Sequence, residues 1–393
     1  MAHRLLKQGF NAGGGYSQTW ARDMNTFIEP LCDVYDAKEI KEAILLFFAL
    51  QQPNGEMIDG YVKKEDFTWE DSHPYYSSLA PNYVAFKNTV ETDQESSLIQ
   101  MVVKYIHKTG DSSILQQVVG DENVLKRISR MVDYLWRERF DPTHGLLYGA
   151  MAADWGDVQP GKCFPCDYNE CSIPAIDIYD NAMMIIAFDG LLKQDLPTTL
   201  KNEWSAKRKL LYHNVRQYLW DKAEQKFIPH LYIGQQPDMK GIDEHKIYYH
   251  GGTAVAIEAG LLSRKEIKAV NKQMVENVKA SGMPSIGLTL YPTYPEGFFE
   301  GGMAHAYQYQ NGGDWTWFGG RMIQQLISHG FIKEAYQEIR PMVNRVIQNN
   351  DFYEWYAKGN KPSGSPHFKG SAGVLAKSIE MLRDWAIANN KKR

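Results

Sequence analysis

The sequence predicts an all-α fold, a ring of about six helical hairpins, and two observations support this prediction. The first is helical periodicity. In "SSLIQMVVKYIHKTGD" apolar residues recur at i, i+3, i+4, i+7 and i+8, namely Leu98, Met101, Val102, Tyr105 and Ile106. The second is that tight and long connections alternate along the chain. A tight connection closes each helical hairpin and a long loop leads to the next, so the long loops are expected at one end of the ring.

About eleven helices are predicted in this way. Apolar stripes place one helix within 96–111, one within 372–388 and one from 318 onward. Eight more are predicted at roughly 21–35, 38–50, 121–138, 174–193, 196–220, 252–261, 264–279 and 332–348. The long loops, rich in Gly, Pro and aromatic residues, are expected at 51–90, 139–173, 222–250, 280–313 and 349–370, with short hairpin strands near 224–233.

Composition and charge limit the classes of function. The 393 residues carry a net charge of −4, which predicts neither nucleic acid nor a membrane surface as a partner. No apolar run approaches the roughly 18–20 residues of a membrane span. No low-complexity linker divides the chain, so a single domain over 1–393 is predicted. The opening "MAHRLLKQGF" is too short and polar for a signal peptide, so we expect a cytoplasmic location, with a periplasmic or secreted origin left open.

Three of the four cysteines, Cys163, Cys166 and Cys171, cluster, while Cys32 is distant. A structural zinc site needs four ligands, and no histidine lies near this cluster. We therefore expect no metal, and either free thiols or one disulfide. Nothing in the sequence requires a cofactor, and there is no phosphate-binding loop of the Walker type.

Five loop segments combine polar and aromatic residues densely, at 13–25, 51–61, 152–162, 308–320 and 350–360. All lie on the long-loop side of a predicted helix, so they are expected to face one cavity. Aromatic residues make up 12% of the chain, and sugar sites use aromatic rings against the C–H faces of pyranoses, although aromatic residues also fill cores.

Carboxylates in two of these segments are candidate catalytic groups. Cleavage of a glycosidic bond takes two carboxyl groups, one to protonate the leaving oxygen and one to activate water or attack the sugar. Asp154 and Asp157 flank Trp155, and Glu354 lies between two aromatic residues. Aromatic neighbours desolvate a carboxyl and raise its pKa, which suits a general acid. Taken singly, each of these acids is also compatible with an ordinary solvated loop position.

Two further acidic positions allow structural and functional readings. Arg22 and Asp23 follow Trp20 and are either a structural ion pair with a helix cap or a sugar clamp. From spacing alone, Asp93 is better explained as the N-cap of its helix than as a binding residue.

The predicted hairpins and the mixed loop segments resemble those of a known family. The hairpin pattern and the loops resemble six-hairpin glycosidases of the (α/α)6 toroid or barrel type, above all neutral/alkaline invertases and the amylo-α-1,6-glucosidase part of glycogen debranching enzymes. Five segments carry the resemblance in order: "GYSQTWARDMNTFIEPL", "TDQESSLIQMVVKYIHKTGD", "YQNGGDWTWFGG", "YEWYAKG" and "GSAGVLAKSIEML". The third departs from the invertase motif, because Gln310 replaces a His and Thr316 a Pro.

The resemblance implies roles for individual residues. Glu354 matches the general base, and Asp157 in Trp-Gly-Asp matches the general acid, with Asp154 as the alternative. These enzymes invert the anomeric centre, which places the two carboxyls about 6.5–9.5 Å apart around a water. The implied substrate-binding residues are Tyr16, Gln18, Trp20, Arg22, Asp23, Asp93, Trp155, Gln310, Asn311, Gly312 and Trp315.

The sequence thus predicts an inverting, exo-acting α-glycosidase with a carbohydrate substrate, most simply an α-glucosidase on oligosaccharides or a small glycoside. An α-mannosidase, a sucrose-type hydrolase and a phosphorylase on the same fold remain as alternatives, as does a noncatalytic sugar-binding scaffold. A phosphorylase would need an anion site near Glu354, for which Lys358 and Lys361 are the candidates. The sequence does not determine the oligomeric state.

Overall fold

The computed structural model describes residues 1–68, 74–161, 166–234, 236, 238–239 and 241–390. Helices dominate these residues, so the prediction of a helical protein is confirmed. The helices are α1 (Ala2–Leu6), α2 (Ala21–Leu31), α3 (Ala37–Ala49), α4 (Asp93–Thr109), α5 (Val124–Glu138), α6 (Ile178–Leu191), α7 (Thr198–Asn214), α8 (His250–Glu258), α9 (Arg264–Ser281), α10 (Thr316–Ser328), α11 (Ile332–Asn349) and α12 (Lys369–Asn390).

Six of these helices contact one another in a closed order. Helix α2 packs on α4, α4 on α6, α6 on α8, α8 on α10, α10 on α12, and α12 returns to α2. The intervening helices contact members of this set, with α3 on α4, α7 on α6, α9 on α8, and α11 on both α10 and α12. Helices α6 and α8 are buried on nearly all sides, which explains why their sequences are apolar without a polar stripe.

Local sequence signals explain where several helices begin and end. Helix α9 starts with a capping box in which Ser263 and Glu266 bond each other's backbone N–H groups, and it ends at Gly282 in the left-handed conformation. Helix α10 packs closely because it carries Gly319 and Gly320. A Cβ at Gly319 would lie 2.1 Å from Met342, and one at Gly320 would lie 2.1 Å from the Val374 side chain.

Three predicted helix boundaries are wrong, and one of them is the end of the helix predicted at 21–35, which lies at Leu31. The helix predicted at 174–193 begins at Ile178, because Pro174–Ile176 pairs as a strand between two others. The helix predicted at 196–220 is regular only to Asn214, after which Val215–Leu219 forms a wider π-type turn. Strand pairing on both sides decides the backbone of Pro174–Ile176, which local pattern alone does not predict.

Short strands occupy the loops. They are β1 (Thr19–Trp20), β2 (Gly60–Lys63), β3 (Tyr83–Phe86), β4 (Val118–Val119), β5 (Glu122–Asn123), β6 (Phe140–Asp141), β7 (Leu146–Leu147), β8 (Gly149–Ala150), β9 (Pro174–Ile176), β10 (Trp220–Asp221), β11 (Lys226–Phe227), β12 (Leu231–Tyr232), β13 (Tyr248–Tyr249), β14 (Leu290–Tyr291), β15 (Trp355–Ala357) and β16 (Lys361–Ser363). The pair β10–β11 and strand β12 confirm the strands predicted near 224–233.

Long loops connect α3 to α4, α5 to α6, α7 to α8, α9 to α10 and α11 to α12, as predicted. Three of these loops share a core of their own, made of Met151, Ala153, Ala175, Ile247, Tyr249, Leu290, Tyr294, Phe298, Phe299 and Met303. The loops are therefore packed layers of the protein and can hold side chains in fixed positions. Among the described residues, none of the helices combines the length and hydropathy needed to span a membrane.

Candidate active site

A cavity of about 340 Å³ lies where the long loops meet the first turns of α2 and α10. Each of the five segments contributes to its wall. The lining residues are Ala12, Tyr16, Trp20, Arg22, Asp23, Asp59, Phe86, Lys87, Asn88, Trp155, Asp157, Cys166, Asp167, Tyr309, Gln310, Trp315, Trp317, Glu354 and Phe368. A volume of this size suits a small molecule or the end of a larger one.

Glu354 lies in this wall just before β15, and two hydrogen bonds fix its carboxyl group. Oε2 accepts the backbone N–H of Ser365 at 2.8 Å, and Oε1 accepts the hydroxyl of Tyr16 at 2.9 Å. A Cβ at Gly364 would lie 2.5 Å from Oε2, so only glycine leaves room for the carboxyl there. Burial raises the pKa of Glu354, the nearby negative charge of Asp157 adds to this, and the two hydrogen bonds oppose it.

Asp157 lies in the wall on the loop between β8 and β9. Its Oδ1 accepts the side-chain N–H of Gln310 at 3.0 Å, and its backbone carbonyl accepts the side-chain N–H of Asn88 at 3.0 Å. The first contact joins the segment 308–320 to the segment 152–162. Within the described ranges, Oδ2 of Asp157 accepts no hydrogen bond, so it remains available to a ligand.

Asp154 has a different environment, although it is only three residues from Asp157. It is buried outside the cavity lining, and its two oxygens accept the backbone N–H groups of Gly251 at 2.6 Å and Gly252 at 2.8 Å, at the start of α8. Burial raises the pKa of Asp154 to about 8, while these hydrogen bonds oppose the shift. Asp154 thus acts as a cap for the helix N-terminus.

Arg22 and Asp93 form a buried ion pair. The Arg22 guanidinium donates to Asp93 at 2.6 and 3.0 Å, to Glu91 at 2.6 Å and to the carbonyl of Trp155 at 3.3 Å. Asp93 is fully buried, also accepts the hydroxyl of Tyr179 at 2.7 Å and lies behind Arg22 rather than in the cavity wall. Its position explains how Arg22 is held beside the cavity.

Asp23 does line the cavity, and its Oδ1 is buried without a hydrogen-bond partner among the described residues. Burial raises the pKa of Asp23 well above its ordinary value, and the charge of Glu354 raises it further. Gln310 resembles Asp23 in this respect. It is 1% exposed, and its Oε1 has no partner within the described ranges. Two buried acceptors in one cavity wall therefore lack donors.

Besides Asp93, three more predicted binding residues lie outside the cavity wall. Gln18 is buried, and its carbonyl accepts the backbone N–H of Ala12. Asn311 bonds the backbone N–H and carbonyl of Tyr294, which fixes the preceding loop. Gly312 has a φ of +87°, and a Cβ there would lie 2.6 Å from the Thr293 side chain. This glycine lets the chain turn so that Gln310 reaches Asp157.

Aromatic rings supply much of the wall. The predicted residues Trp20, Trp155 and Trp315 all line the cavity. Trp155 stacks on Phe318 with ring centroids 4.4 Å apart, and Trp315 donates its indole N–H to the carbonyl of Tyr309 at 3.0 Å. Packing therefore holds Trp155 and Trp315, which are each only 1% exposed, whereas Trp20 is half-buried and leaves apolar surface open to a ligand.

Several lining residues were not predicted from the sequence. Asp59 belongs to the segment 51–61, but only the pairing of β2 with β1 and β3 brings it beside Trp20 and Phe86. Lys87 and Asn88 follow β3 and enter the wall for the same reason. An acidic residue immediately before a strand in a polar loop was the available signal for Asp59.

The cysteine cluster divides in the structure. Cys171 is disulfide-bonded, whereas Cys166 is a free thiol that lines the cavity, and Cys32 is free elsewhere. Cys163 lies outside the described residues. Within those residues the one cluster with metal-ligand spacing is His3, Asp33 and Glu380, which is largely exposed and outside the cavity.

Comparison with known proteins identifies the fold. No family model and no curated protein matches the sequence. A GH63 mannosylglycerate hydrolase from Thermus thermophilus, in complex with glucose, matches with a TM-score of 0.68 and 14% identity over 96% of this chain and 98% of that chain. An uncharacterized conserved protein from the same organism matches with a TM-score of 0.66 and 15% identity over 96% and 98%. A rhamnosidase from Klebsiella oxytoca with rhamnose bound matches with a TM-score of 0.62 and 12% identity over 96% and 62%.

At such low identity these likenesses establish a shared fold. Two of the three proteins are glycosidases by name, so the chain has a helical fold on which glycoside hydrolases are built. The resemblance to invertases and debranching enzymes is more specific than this, and it stays a prediction.

Proposed function

We propose that the protein is an inverting, exo-acting α-glycosidase, most simply an α-glucosidase on oligosaccharides or a small glycoside. One observation carries the proposal. Asp157 and Glu354, from two separate loops, line one cavity and are close enough for the charge of Asp157 to raise the pKa of Glu354. Paired carboxyls in an aromatic-walled cavity are the arrangement that glycoside hydrolysis uses.

Glu354 is the proposed general base. Its two hydrogen bonds hold the carboxylate in one orientation, from which it removes a proton from the attacking water. Burial raises its pKa toward neutrality, and a carboxylate with a raised pKa is a stronger base.

Asp157 is the proposed general acid, in preference to Asp154. Gln310 bonds Oδ1 of Asp157, which leaves Oδ2 to carry a proton toward the leaving oxygen. Both oxygens of Asp154 are occupied by backbone N–H groups at the start of α8, outside the cavity. These contacts support Asp157 as the residue in position for proton transfer.

The sugar is proposed to bind between Asp23, Gln310 and the tryptophan walls. Asp23 and Gln310 each present a buried oxygen without a donor among the described residues, and sugar hydroxyls would supply one. Trp20, which is half-buried, offers apolar surface to a ring face, while Trp155 and Trp315 border the cavity as buried rings. Arg22 lines the site and is held in place by Asp93, so Asp93 contributes to binding indirectly.

The closed order of α2, α4, α6, α8, α10 and α12 supports the proposal that the helices form a six-hairpin (α/α)6 barrel, and that 1–393 is one catalytic domain. The fold of a mannosylglycerate hydrolase and of a rhamnosidase fits the same proposal. A phosphorylase finds no support from the two candidate lysines. Lys358 lies over the ring of Tyr307, Lys361 is exposed, and neither lines the cavity.

A hydrolysis screen with detection of the product anomer by NMR tests the proposal. Aryl and natural α-glucosides, α-mannosides and sucrose are the substrates. We expect release of the β-anomer from an α-glycoside, and loss of turnover in both Asp157→Asn and Glu354→Gln. Release of the α-anomer would overturn inversion. Unchanged turnover in both variants would overturn the assignment of the two carboxyls, and a protein that binds sugars without any turnover would be the noncatalytic scaffold.

A further inference from the structure

Asp59 is a cavity-lining carboxyl to which the proposed mechanism gives no role. Its backbone is fixed on both sides, because its N–H donates to the carbonyl of Phe86 and its carbonyl accepts the N–H of Ala21, both at 2.7 Å. A Cβ at Gly60 would lie 2.3 Å from the ring of Trp20, so the chain passes directly under that ring. None of the described residues donates a hydrogen bond to the Asp59 carboxylate. Its position is rigid and its oxygens are available.

The cations in the wall are already neutralised. Arg22 is bound by both Glu91 and Asp93, and Lys87 donates to Glu95 at 3.1 Å and to Gln94 at 3.2 Å. The side chain of Lys87 is 3% exposed. Among the lining residues that the structure describes, no other lysine or arginine occurs.

The acids in the wall outnumber these cations. Asp23, Asp59, Asp157, Asp167 and Glu354 all line the cavity. Burial raises the pKa of Asp59 to about 7, and the charges of Asp93 and Asp157 add to the shift against the opposing effects of Arg22 and Lys87. When these acids are ionised, their number against two paired cations gives the wall a surplus of negative charge.

The unpaired polar atoms in the wall also disfavour an anionic ligand, because they are acceptors. Oδ1 of Asp23 and Oε1 of Gln310 are buried acceptors without donors in the described part of the chain. A ligand that satisfies them must bring O–H or N–H groups. A carboxylate or phosphate brings only acceptors, and it adds negative charge where two cations are already bound to other partners.

We propose that Asp59 is a further substrate-binding residue, and that with it the cavity selects glycosides that are uncharged or carry an ammonium group and rejects anionic ones. This inference rests on the proposed function for its substrate class. It separates the chain from the mannosylglycerate hydrolase of similar fold, whose named substrate carries a carboxylate. Asp59 accepts hydrogen bonds from the ligand and repels anionic groups.

Calorimetry with non-cleavable ligands tests this inference on the full chain at pH 8, where Asp59 is largely ionised. The ligands are 1,5-anhydroglucitol and its derivatives with a carboxylate or an ammonium group at C6, together with the same three in the manno series. We expect the neutral and ammonium ligands to bind at least about tenfold more tightly than the carboxylate. Asp59→Asn should weaken the neutral ligand about tenfold and reduce its preference over the carboxylate to about threefold or less.

Asp66→Asn is the matched control, since Asp66 is exposed and outside the cavity, and it should change neither affinity. Equal affinity of the wild type for the neutral and carboxylate ligands would overturn the inference, and so would an unchanged preference in Asp59→Asn and Asp59→Ser. Hydrolysis without this preference leaves the proposed function standing and removes the inference. The preference without any hydrolysis leaves the inference standing and removes the proposed function. Absence of binding by all six ligands overturns the inference.

Discussion

Two buried glutamates in the long loops show how differently the same type of side chain can be used. Glu244 is 7% exposed and accepts hydrogen bonds from His230, Tyr232 and Tyr294. Glu354 is 5% exposed and accepts two, one from a backbone N–H and one from Tyr16. The Glu244 cluster lies in the separate loop core, whereas Glu354 faces the cavity.

The pKa values follow from this difference in partners. Burial acts on Glu244, but His230 and the tyrosine hydroxyls outweigh it and hold its pKa below the ordinary value. Burial and Asp157 outweigh the two donors of Glu354 and raise its pKa. A buried carboxyl with many donors stabilises the fold, whereas one with fewer donors beside another acid is a candidate for ligand binding or catalysis.

The same Glu→Gln change at the two sites gives the largest expected effects. Glu354→Gln should lower kcat about 1000-fold, since it removes the proposed base. It should leave the free energy of unfolding in urea unchanged or slightly higher, because it relieves repulsion. Glu244→Gln should lower that free energy by about 2–3 kcal/mol, since an amide N–H₂ then faces groups that also donate, and the kcat of the folded protein should change little.

The Glu244 effect should also depend on pH with a definite sign. Because its folded pKa is lowered, its stabilisation is present above the unfolded pKa of about 4.3 and is lost as pH falls through the folded value. The difference between wild type and Glu244→Gln should therefore shrink below about pH 4. Equal stability of the two proteins at pH 7, or a loss of kcat as large as that of Glu354→Gln, would contradict the comparison.

Asp154 and Asp157 extend the comparison within one loop. Asp154→Asn should lower the free energy of unfolding by about 1–2 kcal/mol, because an amide can accept only one of the two N–H groups at the start of α8. Its kcat should stay near that of the wild type. Urea unfolding and steady-state kinetics, with Asp157→Asn measured alongside, decide between the two acids. Loss of kcat without loss of stability in Asp154→Asn would make Asp154 the acid.

The smallest expected effect is that of replacing Tyr16, which acts on the pH profile through the pKa of Glu354. Its hydroxyl bonds the ionised carboxylate and so lowers that pKa. In Tyr16→Phe the pKa of Glu354 should rise, and since the base acts ionised, the acid limb of the pH profile of kcat/KM should move to higher pH by up to about one unit. Tyr336→Phe, at an exposed tyrosine outside the cavity, is the control. If the acid limb does not move, it does not report the ionisation of Glu354.

Much of this arrangement could be predicted from local sequence. The alternation of helices with long loops follows from apolar periodicity, and each of the five mixed segments does reach the cavity. The error at Pro174–Ile176 arose where strand pairing overrides an apolar pattern, whereas the wider turn at Val215–Leu219 carries no signal in the sequence. Asp59 was not predicted as a site residue, because its place in the wall depends on pairing between β1 and β2. These two strands lie far apart in the sequence.

The sequence by itself determined the helices, the loops and the group of acids from which the site is built, because periodicity and residue type are local properties. Tertiary structure decided where each of these acids lies and what surrounds it. It placed Asp157 in the cavity and Asp154 under a helix end, and it put Asp93 behind Arg22. The physical reason is that a carboxyl group takes its character from its burial and its donors, and those come from parts of the chain far away in sequence.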